Sequence, residues 1–425
     1  MKSSSLNQVV STLNIVLLFA GYEFFSSVVS LLFGESAPPL MNILYRAFAT
    51  LICLIVIVYN LGGKHNLGTL KKRSNIPVVA LYFLWALLLL RFVADMYFTP
   101  GLHVSSENIS RTWLYMVVLT IMPMISVSLS FQKINFDASF KWVLILYSIT
   151  IIISFLLNYN VEAEDISNTD RLSATGLSSI GSGHVGLSAI ILSVCYYLKH
   201  KTKRPIIIIG IGLVTVLGVI VMLRSGSRGP LLAFMGVIAV FAFSKSKRPI
   251  IWLVIFLICL LFYEQIFNAF LSLINVVAPN LYFRFTNKSE SGGQFESRLF
   301  YYLYAIDAFL ESPIIGKQFA IYPSDGEVEM IYAHNLFLDV LMQLGILGGG
   351  LMLSIVLGAL RRVYHMIKNN GHILWICLLF VQRLFELMVS SSFYYTPIFS
   401  IAIILIVYWM SNSKGNDSIM DYQKG

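Results

Sequence analysis

The residue best suited to acid–base chemistry stands at the start of an apolar stretch. His334 and Asn335 are adjacent in "YAHNLFLDVLMQLGILGG", the segment that begins at Tyr332. A neutral imidazole can take a proton from a hydroxyl group near pH 7. A polar residue in this place is more often a helix cap, and asparagine is among the preferred capping residues. The sequence alone therefore leaves His334 as a general base or a cap, with Asn335 in a supporting role.

A second group of residues is suited to binding an anion. Arg224 and Arg228 are four residues apart in "MLRSGSRGPLLAF". A guanidinium group forms paired hydrogen bonds to phosphate, and the free amides at a helix start also bind anions. We expect a helix to begin here, with Ser227 as its cap and Pro230 in its first turn. The pattern predicts a phosphate-binding cradle; the alternative is that both arginines extend to lipid headgroups.

Arginine also predominates among the basic residues outside the lysine-rich loops. Arg171 lies in the glycine-rich segment "DRLSATGLSSIGSGHVG", whose small residues would let a ligand approach the backbone, and Arg298 lies in "SRLFYYLYAIDAFLESP". On the expected outer face, six of the eight basic residues are arginine: Arg111, Arg171, Arg224, Arg228, Arg284, Lys288, Arg298 and Lys317. Such a set favours an anionic, membrane-borne ligand. The alternative is that these side chains pair with acidic neighbours, namely Glu162, Glu164, Asp165, Asp170, Glu290 and Glu296.

Long apolar runs must position these residues. The chain has 425 residues, of which 57% are hydrophobic and 12% charged, whereas a soluble domain carries about 25% charged residues. We therefore predict an all-α fold, a polytopic membrane helix bundle that forms a single integral membrane domain over residues 1–425. About twelve transmembrane helices are expected, at 10–32, 40–60, 76–98, 113–130, 140–158, 183–198, 205–223, 229–243, 250–267, 334–358, 372–391 and 396–410.

Two long polar stretches, 159–182 and 268–333, interrupt the apolar runs. Loops longer than about 12–15 residues are usually functional or disordered. In the second stretch, apolar residues recur at helical spacing between Leu299 and Leu310. This spacing predicts a helix with one apolar face. Two placements are open for that helix: on the membrane surface, or packed against the ends of the spans.

The net charge of +9 is explained by topology. Lysine and arginine cluster in alternate short loops, such as "GGKHNLGTLKKRSN" and "KHKTKR". Positively charged loops stay in the cytoplasm, so we expect cytoplasmic termini and the two long loops on the outer face. Nucleic acid is not an expected partner. The cytoplasmic loops are too short for a nucleotide-binding unit, and the four cysteines fall inside apolar runs. No metal and no cofactor are expected.

Five charged residues fall within the predicted spans: Glu23, Arg46, Arg91, Arg383 and Glu386. Charges inside a membrane are costly and are usually paired or functional. Arg383 and Glu386 are three residues apart, which suits an ion pair on one helix face. The alternative is a proton route, which would indicate a transporter.

Three segments together resemble the O-antigen ligase and Wzy polymerase superfamily, integral membrane glycosyltransferases of the bacterial envelope. They are "RSGSRGPLLAF", "SRLFYYLYAIDAFLESPIIGKQF" and "AHNLFLDVLMQLGILGGGLML", within about residues 221–358. A weaker match is "DRLSATG". The sequence departs from the family at Gln343, where an acidic residue is common, and at Gly316–Gln318, where Gly-x-Gly is usual. The resemblance implies a ligase/polymerase-like core over 183–358, including the large periplasmic loop 268–333.

The resemblance also implies a chemistry. The donor would be an oligosaccharide on undecaprenyl diphosphate at the outer (periplasmic) face of the bacterial inner membrane. Arg171, Arg224, Arg228 and Arg298 would bind the diphosphate, and His334 would act as the catalytic base in an inverting, metal-independent transfer. Asn335 and Ser227 would support them. Arg111 lies outside the matched range and is expected to have no role. Further partners would be membrane lipids, a chain-length regulator and a flippase.

Three functions remain open from the sequence. We favour a polymerase that joins lipid-linked repeat units into an O-antigen or capsule, because the first half of the chain matches nothing specific. The alternative is an O-antigen ligase that transfers the finished glycan to lipid A–core. A flippase or other transporter is the third, and it predicts two similar halves, which the sequence does not show.

Overall fold

The computed structural model describes residues 3–34, 38–61, 75–99, 102, 104–157, 177–201, 204–247, 263–277, 282, 288–322, 330–369 and 371–422. Within these ranges the chain is almost entirely helical, as predicted. The helices are α1 (Ser3–Val16), α2 (Tyr22–Phe33), α3 (Pro38–Leu61), α4 (Ile76–Phe98), α5 (Ser106–Trp113), α6 (Met122–Ser130), α7 (Phe136–Leu157), α8 (Ser179–His200), α9 (Pro205–Arg224), α10 (Arg228–Lys245), α11 (Tyr263–Val277), α12 (Lys288–Glu311), α13 (Leu336–Lys368), α14 (Leu374–Val389) and α15 (Pro397–Tyr422).

Two short π-helical segments join helices into longer units. Leu17–Gly21 connects α1 to α2, and Leu114–Ile121 connects α5 to α6. In the part of the chain that the structure describes, nine helical stretches are long and apolar enough to cross a membrane. They are Leu6–Phe33, Asn42–Leu61, Ile76–Phe98, Ser106–Lys133, Phe136–Leu157, Ser179–His200, Pro205–Arg224, Arg228–Lys245 and Leu336–Lys368. Each overlaps one of the predicted spans, which confirms the polytopic bundle.

The eleventh predicted span, 372–391, is shorter in the structure than expected, because α14 has 16 residues. The apolar part of α15 runs from Pro397 to Ser411 and agrees with the twelfth predicted span, 396–410. The ninth predicted span, 250–267, lies mostly outside the described residues. α14 is nevertheless a central helix among those described, because it packs against α8, α10, α13 and α15 and is buried over most of its length.

α13 contains a break that anchors the loop before it. Gly345 has φ +61, a conformation that side-chain-bearing residues rarely adopt. At this break the backbone N–H of Ile346 donates to the carbonyl of Pro313 over 2.8 Å, and the N–H of Lys317 donates to Met342 over 2.9 Å. The chain that follows α12 is thereby fastened to α13 by backbone hydrogen bonds. A side chain at Gly345 would collide with the backbone of Pro313 and Ile314, so this close approach requires glycine.

Gln343, one of the departures from the family pattern, has a defined partner. Its Nε2 donates to the carbonyl oxygen of Phe319 over 2.7 Å, and both residues are buried. An ionised carboxylate has no proton to donate, so a glutamate here would need a different partner. The glutamine is therefore consistent with the way the 313–322 segment is held in this chain.

α12 confirms the helix predicted near residues 299–310, and it presents two different faces. Tyr301, Tyr304, Ala305 and Ala308 belong to a cluster with residues of α13. The predicted apolar residues are exposed instead, with Leu299, Leu303 and Leu310 at 43%, 52% and 65%. One face thus packs on the bundle, and the other has the apolar surface that a helix at the membrane surface requires.

The charges within the spans are largely paired. The Arg383 guanidinium lies 2.7 Å from the Glu386 carboxylate, as predicted, and 3.6 Å from that of Glu23 on α2. Arg91 pairs with Asp95 one turn later over 3.1 Å. Arg46 donates to the Tyr115 hydroxyl over 2.9 Å. These contacts favour the ion-pair interpretation over a proton route.

Candidate functional site

His334 lies in the loop directly before α13 with an unusual backbone. Its φ is +55, and histidine is among the few side-chain-bearing residues enriched in this region. The imidazole is half-buried between two rings, with centroid distances of 4.3 Å to Tyr332 and 6.0 Å to Tyr301. Uncommon backbone conformations persist only where neighbours enforce them, and they are frequent at functional sites.

Asn335, and not His334, caps α13. Its Oδ1 accepts from the backbone N–H groups of Phe337 and Leu338 over 3.1 and 3.2 Å. Its Nδ2 donates to the carbonyl of Met388 in α14 over 3.4 Å. Of the two roles that the sequence left open for His334, the capping role therefore belongs to Asn335.

Asp339 completes the support of this loop, and the sequence analysis did not identify it. Its Oδ1 accepts from the backbone N–H of Ala333 over 2.7 Å, and the side chain is buried. The residues on either side of His334 are thus held by hydrogen bonds to the first turn of α13. The signal in the sequence was an acidic residue four positions after the cap, inside an otherwise apolar turn.

The surroundings of His334 favour the neutral imidazole. Burial lowers its pKa below the ordinary value of 6.5, the positive charge of Arg298 lowers it further, and a hydrogen bond to the Ser390 backbone acts in the opposite direction. Within the described residues, Nδ1 has no hydrogen-bond partner. A neutral ring with one free nitrogen is the form that accepts a proton at pH 7.

Arg298 is near enough to interact electrostatically with both Arg228 and His334, although the three residues are far apart in the sequence. Both guanidinium groups are half-buried. Like charges in proximity disfavour the charged state and favour a bound anion. Arg298 forms no ion pair with the carboxylates that the structure describes; the side chains of Glu290 and Glu296 lie outside that description. We call Arg228 and Arg298 the arginine flank.

The arginine flank lies at one end of α10. Arg228 begins α10 and Lys245 ends it, so these residues lie at opposite ends of a helix that can cross a membrane. Arg298 interacts electrostatically with Arg228 and is therefore at the Arg228 end.

The other predicted anion-binding residues have mixed outcomes. Arg224 ends α9 and is half-buried, and no ion pair of its side chain occurs among the described residues. Ser227 occupies the cap position of α10, but the prediction that its side chain caps the helix is wrong, because it makes no such hydrogen bond. Its backbone N–H points instead to the Ser225 hydroxyl at 3.4 Å. Arg171 lies outside the described residues.

The described part of the glycine-rich segment lies largely within the first turns of α8 and serves helix packing. A Cβ atom at Gly186 would lie 2.6 Å from the carbonyl oxygen of Gly218 in α9, so the space beside this glycine is occupied by a neighbouring backbone. His184 is buried against α14, where Gln382 donates to its carbonyl over 2.9 Å. Gly186 therefore offers no room for a ligand.

A row of tyrosine rings begins in contact with His334, and the sequence analysis missed it. From Tyr332 the row continues to Tyr395 at 5.9 Å and then to Tyr115 at 4.7 Å, measured between ring centroids. Burial raises the pKa of Tyr332 and of Tyr395, while the charge of Arg111 acts against that rise in both. We call Tyr115, Tyr332, Tyr395 and Arg111 the tyrosine flank. Nothing distinguished these rings among 22 tyrosines in the sequence.

The comparisons with known proteins agree with this site. Residues 213–353 match the family model described as O-antigen ligase, a segment that includes Arg228, Arg298 and His334. No curated protein and no solved structure matches the chain. The matched segment is about a third of the chain. Over that segment, the match confirms the predicted resemblance to the O-antigen ligase and Wzy polymerase superfamily.

Proposed function

We propose that this chain is a membrane glycosyltransferase that joins undecaprenyl-diphosphate-linked oligosaccharide repeat units into a surface polysaccharide. The observation that carries the proposal is the grouping of a neutral imidazole with a free ring nitrogen beside two arginines whose charges repel each other. A base next to an anion site suits a transfer in which a hydroxyl attacks and a diphosphate leaves.

The chemistry assigns one task to each group. His334 takes the proton from the acceptor hydroxyl as its oxygen forms a bond to the anomeric carbon of the donor sugar. The bond from that carbon to the diphosphate oxygen breaks, and its electron pair leaves with the diphosphate. Because attack and departure occur on opposite faces, the configuration inverts. Arg228 and Arg298 stabilise the charge that grows on the leaving diphosphate. Arg171 and Arg224 contribute further phosphate contacts in this proposal.

The proposal places the site at the outer face of the bacterial inner membrane, with both termini in the cytoplasm. Its support is the distribution of charge, since the lysine-rich loops follow α3, α8 and α10. Single cysteines at Asp307 and Lys247, both exposed, test it in a cysteine-free background on intact spheroplasts. A membrane-impermeant thiol reagent is expected to label the first position and not the second. Equal labelling, or the reverse pattern, would contradict the placement.

The alternative within the same chemistry is an O-antigen ligase that uses lipid A–core as acceptor. The family description supports it equally, and the two functions share the donor site. Purified protein in nanodiscs distinguishes them. A polymerase given only the undecaprenyl-diphosphate repeat unit produces a ladder of longer lipid-linked glycans. A ligase produces no ladder but glycosylates added lipid A–core. If neither product forms, the proposed function is wrong.

A further inference from the structure

We propose that the tyrosine flank is the acceptor subsite, in which the sugar that supplies the attacking hydroxyl stacks on Tyr332 and Tyr395 and Arg111 binds the phosphate that carries this glycan. The proposal rests on the proposed glycosyl transfer, because it assigns the second substrate of that reaction. The ligand class is a phosphate-linked glycan.

The first argument is position. The row of rings starts in contact with the His334 imidazole, 4.3 Å from its centroid. Among the arginines, Arg111 acts on Tyr332 and Tyr395, and Arg298 acts on His334 and Arg228. The row of rings and the arginine flank are thus associated with different arginines. In an inverting transfer the nucleophile and the leaving group lie on opposite faces of the anomeric carbon, so a diphosphate at the arginine flank leaves the other side of the base for the acceptor.

The second argument is the arrangement of the rings. Tyr115, Tyr332 and Tyr395 come from three separate segments and contact one another edge to face. Each is half-buried, whereas the adjacent Tyr394 is 1% exposed and belongs to the core. Tyrosines of a membrane-interface belt stand alongside lipid, but this row of tyrosines begins at His334, the candidate base. Rigid rings with a polar tip suit a sugar, which has an apolar ring face and hydroxyl groups at its edge.

The third argument is the state of Arg111. It is exposed in the last turn of α5 and forms no ion pair with any carboxylate that the structure describes. Lys317, a basic residue of the same predicted outer set, is instead paired with Glu311. At the inner end of the row, Arg46 is held by Tyr115 through a 2.9 Å hydrogen bond. Of Arg46, Arg111 and Lys317, Arg111 is therefore the residue whose guanidinium group is available for phosphate. The sequence analysis expected Arg111 to have no role.

The test uses an analogue that can accept a glycan but cannot serve as a glycosyl donor. In a lipid-linked glycan with a CH₂ group in place of the anomeric oxygen, the hydroxyl groups remain but the diphosphate cannot leave. Transfer from an ordinary donor to this analogue is measured as a function of analogue concentration. For Arg111→Gln and Tyr395→Leu, we expect the KM for the analogue to rise about 10–100-fold, the range for loss of a charged hydrogen bond, while the Kd for the donor stays within about twofold. Lys317→Gln is the matched control and is expected to leave both unchanged.

Binding of the analogue without donor separates the two proposals. If wild-type protein binds the analogue and Arg111→Gln binds it at least about tenfold more weakly, the subsite stands even where no transfer is observed; absent transfer then counts against the proposed function alone. An unchanged analogue Kd and KM in both variants would overturn the subsite while leaving the transferase intact. A fall in donor affinity equal to that in analogue affinity would also overturn it, because Arg111 would then belong to the donor site.

Discussion

The two flanks of His334 differ in their chemistry and in where the chain supplies them. The arginine flank comes from α10 and α12 and lies wholly within the segment matched by the O-antigen ligase family model. The tyrosine flank takes Arg111, Tyr115 and Tyr395 from outside that segment and only Tyr332 from inside it. Under the two proposals above, the matched segment would bind the donor, and segments outside it would bind most of the acceptor.

The largest expected effect is that of His334→Asn, which removes the base between the flanks. Asparagine tolerates a positive φ, and Asn335 still caps α13, so the protein should fold and insert normally. We expect the transfer rate to fall about 10²–10⁴-fold, with binding of donor and acceptor analogue retained. The measurement is single-turnover transfer at a matched amount of protein. A normal rate would show that the imidazole is structural and that neither flank serves a base at this position.

A smaller effect is expected when the arginine flank loses its geometry but keeps its charge. Lysine cannot reproduce the paired hydrogen bonds of a guanidinium group. Arg228→Lys and Arg298→Lys should each weaken donor binding about 10–100-fold and leave the Kd of the acceptor analogue unchanged. Arg361→Lys, at an exposed position near the far end of α13, is the control. If the variants weakened binding of the donor and of the acceptor analogue equally, the two flanks would have to be parts of one site.

The pH dependence of activity gives a finer test, because the pKa of His334 depends on the charge of its neighbour Arg298. The pKa of His334 is lowered by burial and by Arg298, so wild-type activity should decline only below pH 6.5, the ordinary value. Removing the positive charge in Arg298→Gln makes the protonated ring less unfavourable and raises its pKa. The acid limb of the activity profile should then move to higher pH, whatever the height of the profile. Arg111→Gln should leave the limb in place, and a shift there would place Arg111 on the arginine side.

The smallest expected effect concerns the support shared by both flanks. Asn335→Ala removes the cap of α13 and the contact to α14. It should lower the free energy of unfolding by about 1 kcal/mol, measured by denaturant titration in detergent, and should weaken donor and acceptor binding to a similar extent. Asn335→Asp keeps a capping oxygen and should lose less stability. Selective loss of one ligand would mean that the loop positions only one flank.

Much of the site was accessible from the sequence because its residues stand out chemically. His334, Arg228 and Arg298 are polar residues at the edges of apolar segments, and the structure brings these three together. The errors concern local hydrogen bonds. Ser227 occupies the predicted cap position without making the capping contact. The space beside Gly186 is occupied by a neighbouring backbone and is not open to a ligand. Neither outcome follows from residue type, because each depends on which groups lie within a few ångströms.

The sequence by itself determined the fold class, the approximate spans and the residue types able to do the chemistry, because hydropathy and the cost of charge in a membrane act locally along the chain. Only the tertiary structure decided that Arg298 lies beside Arg228, that Asn335 and not His334 is the cap, and that tyrosines from three segments form one row. Ring contacts and the repulsion between distant charges depend on how helices pack. Tyr115 and Tyr395 are unremarkable residues until the bundle places them next to the imidazole.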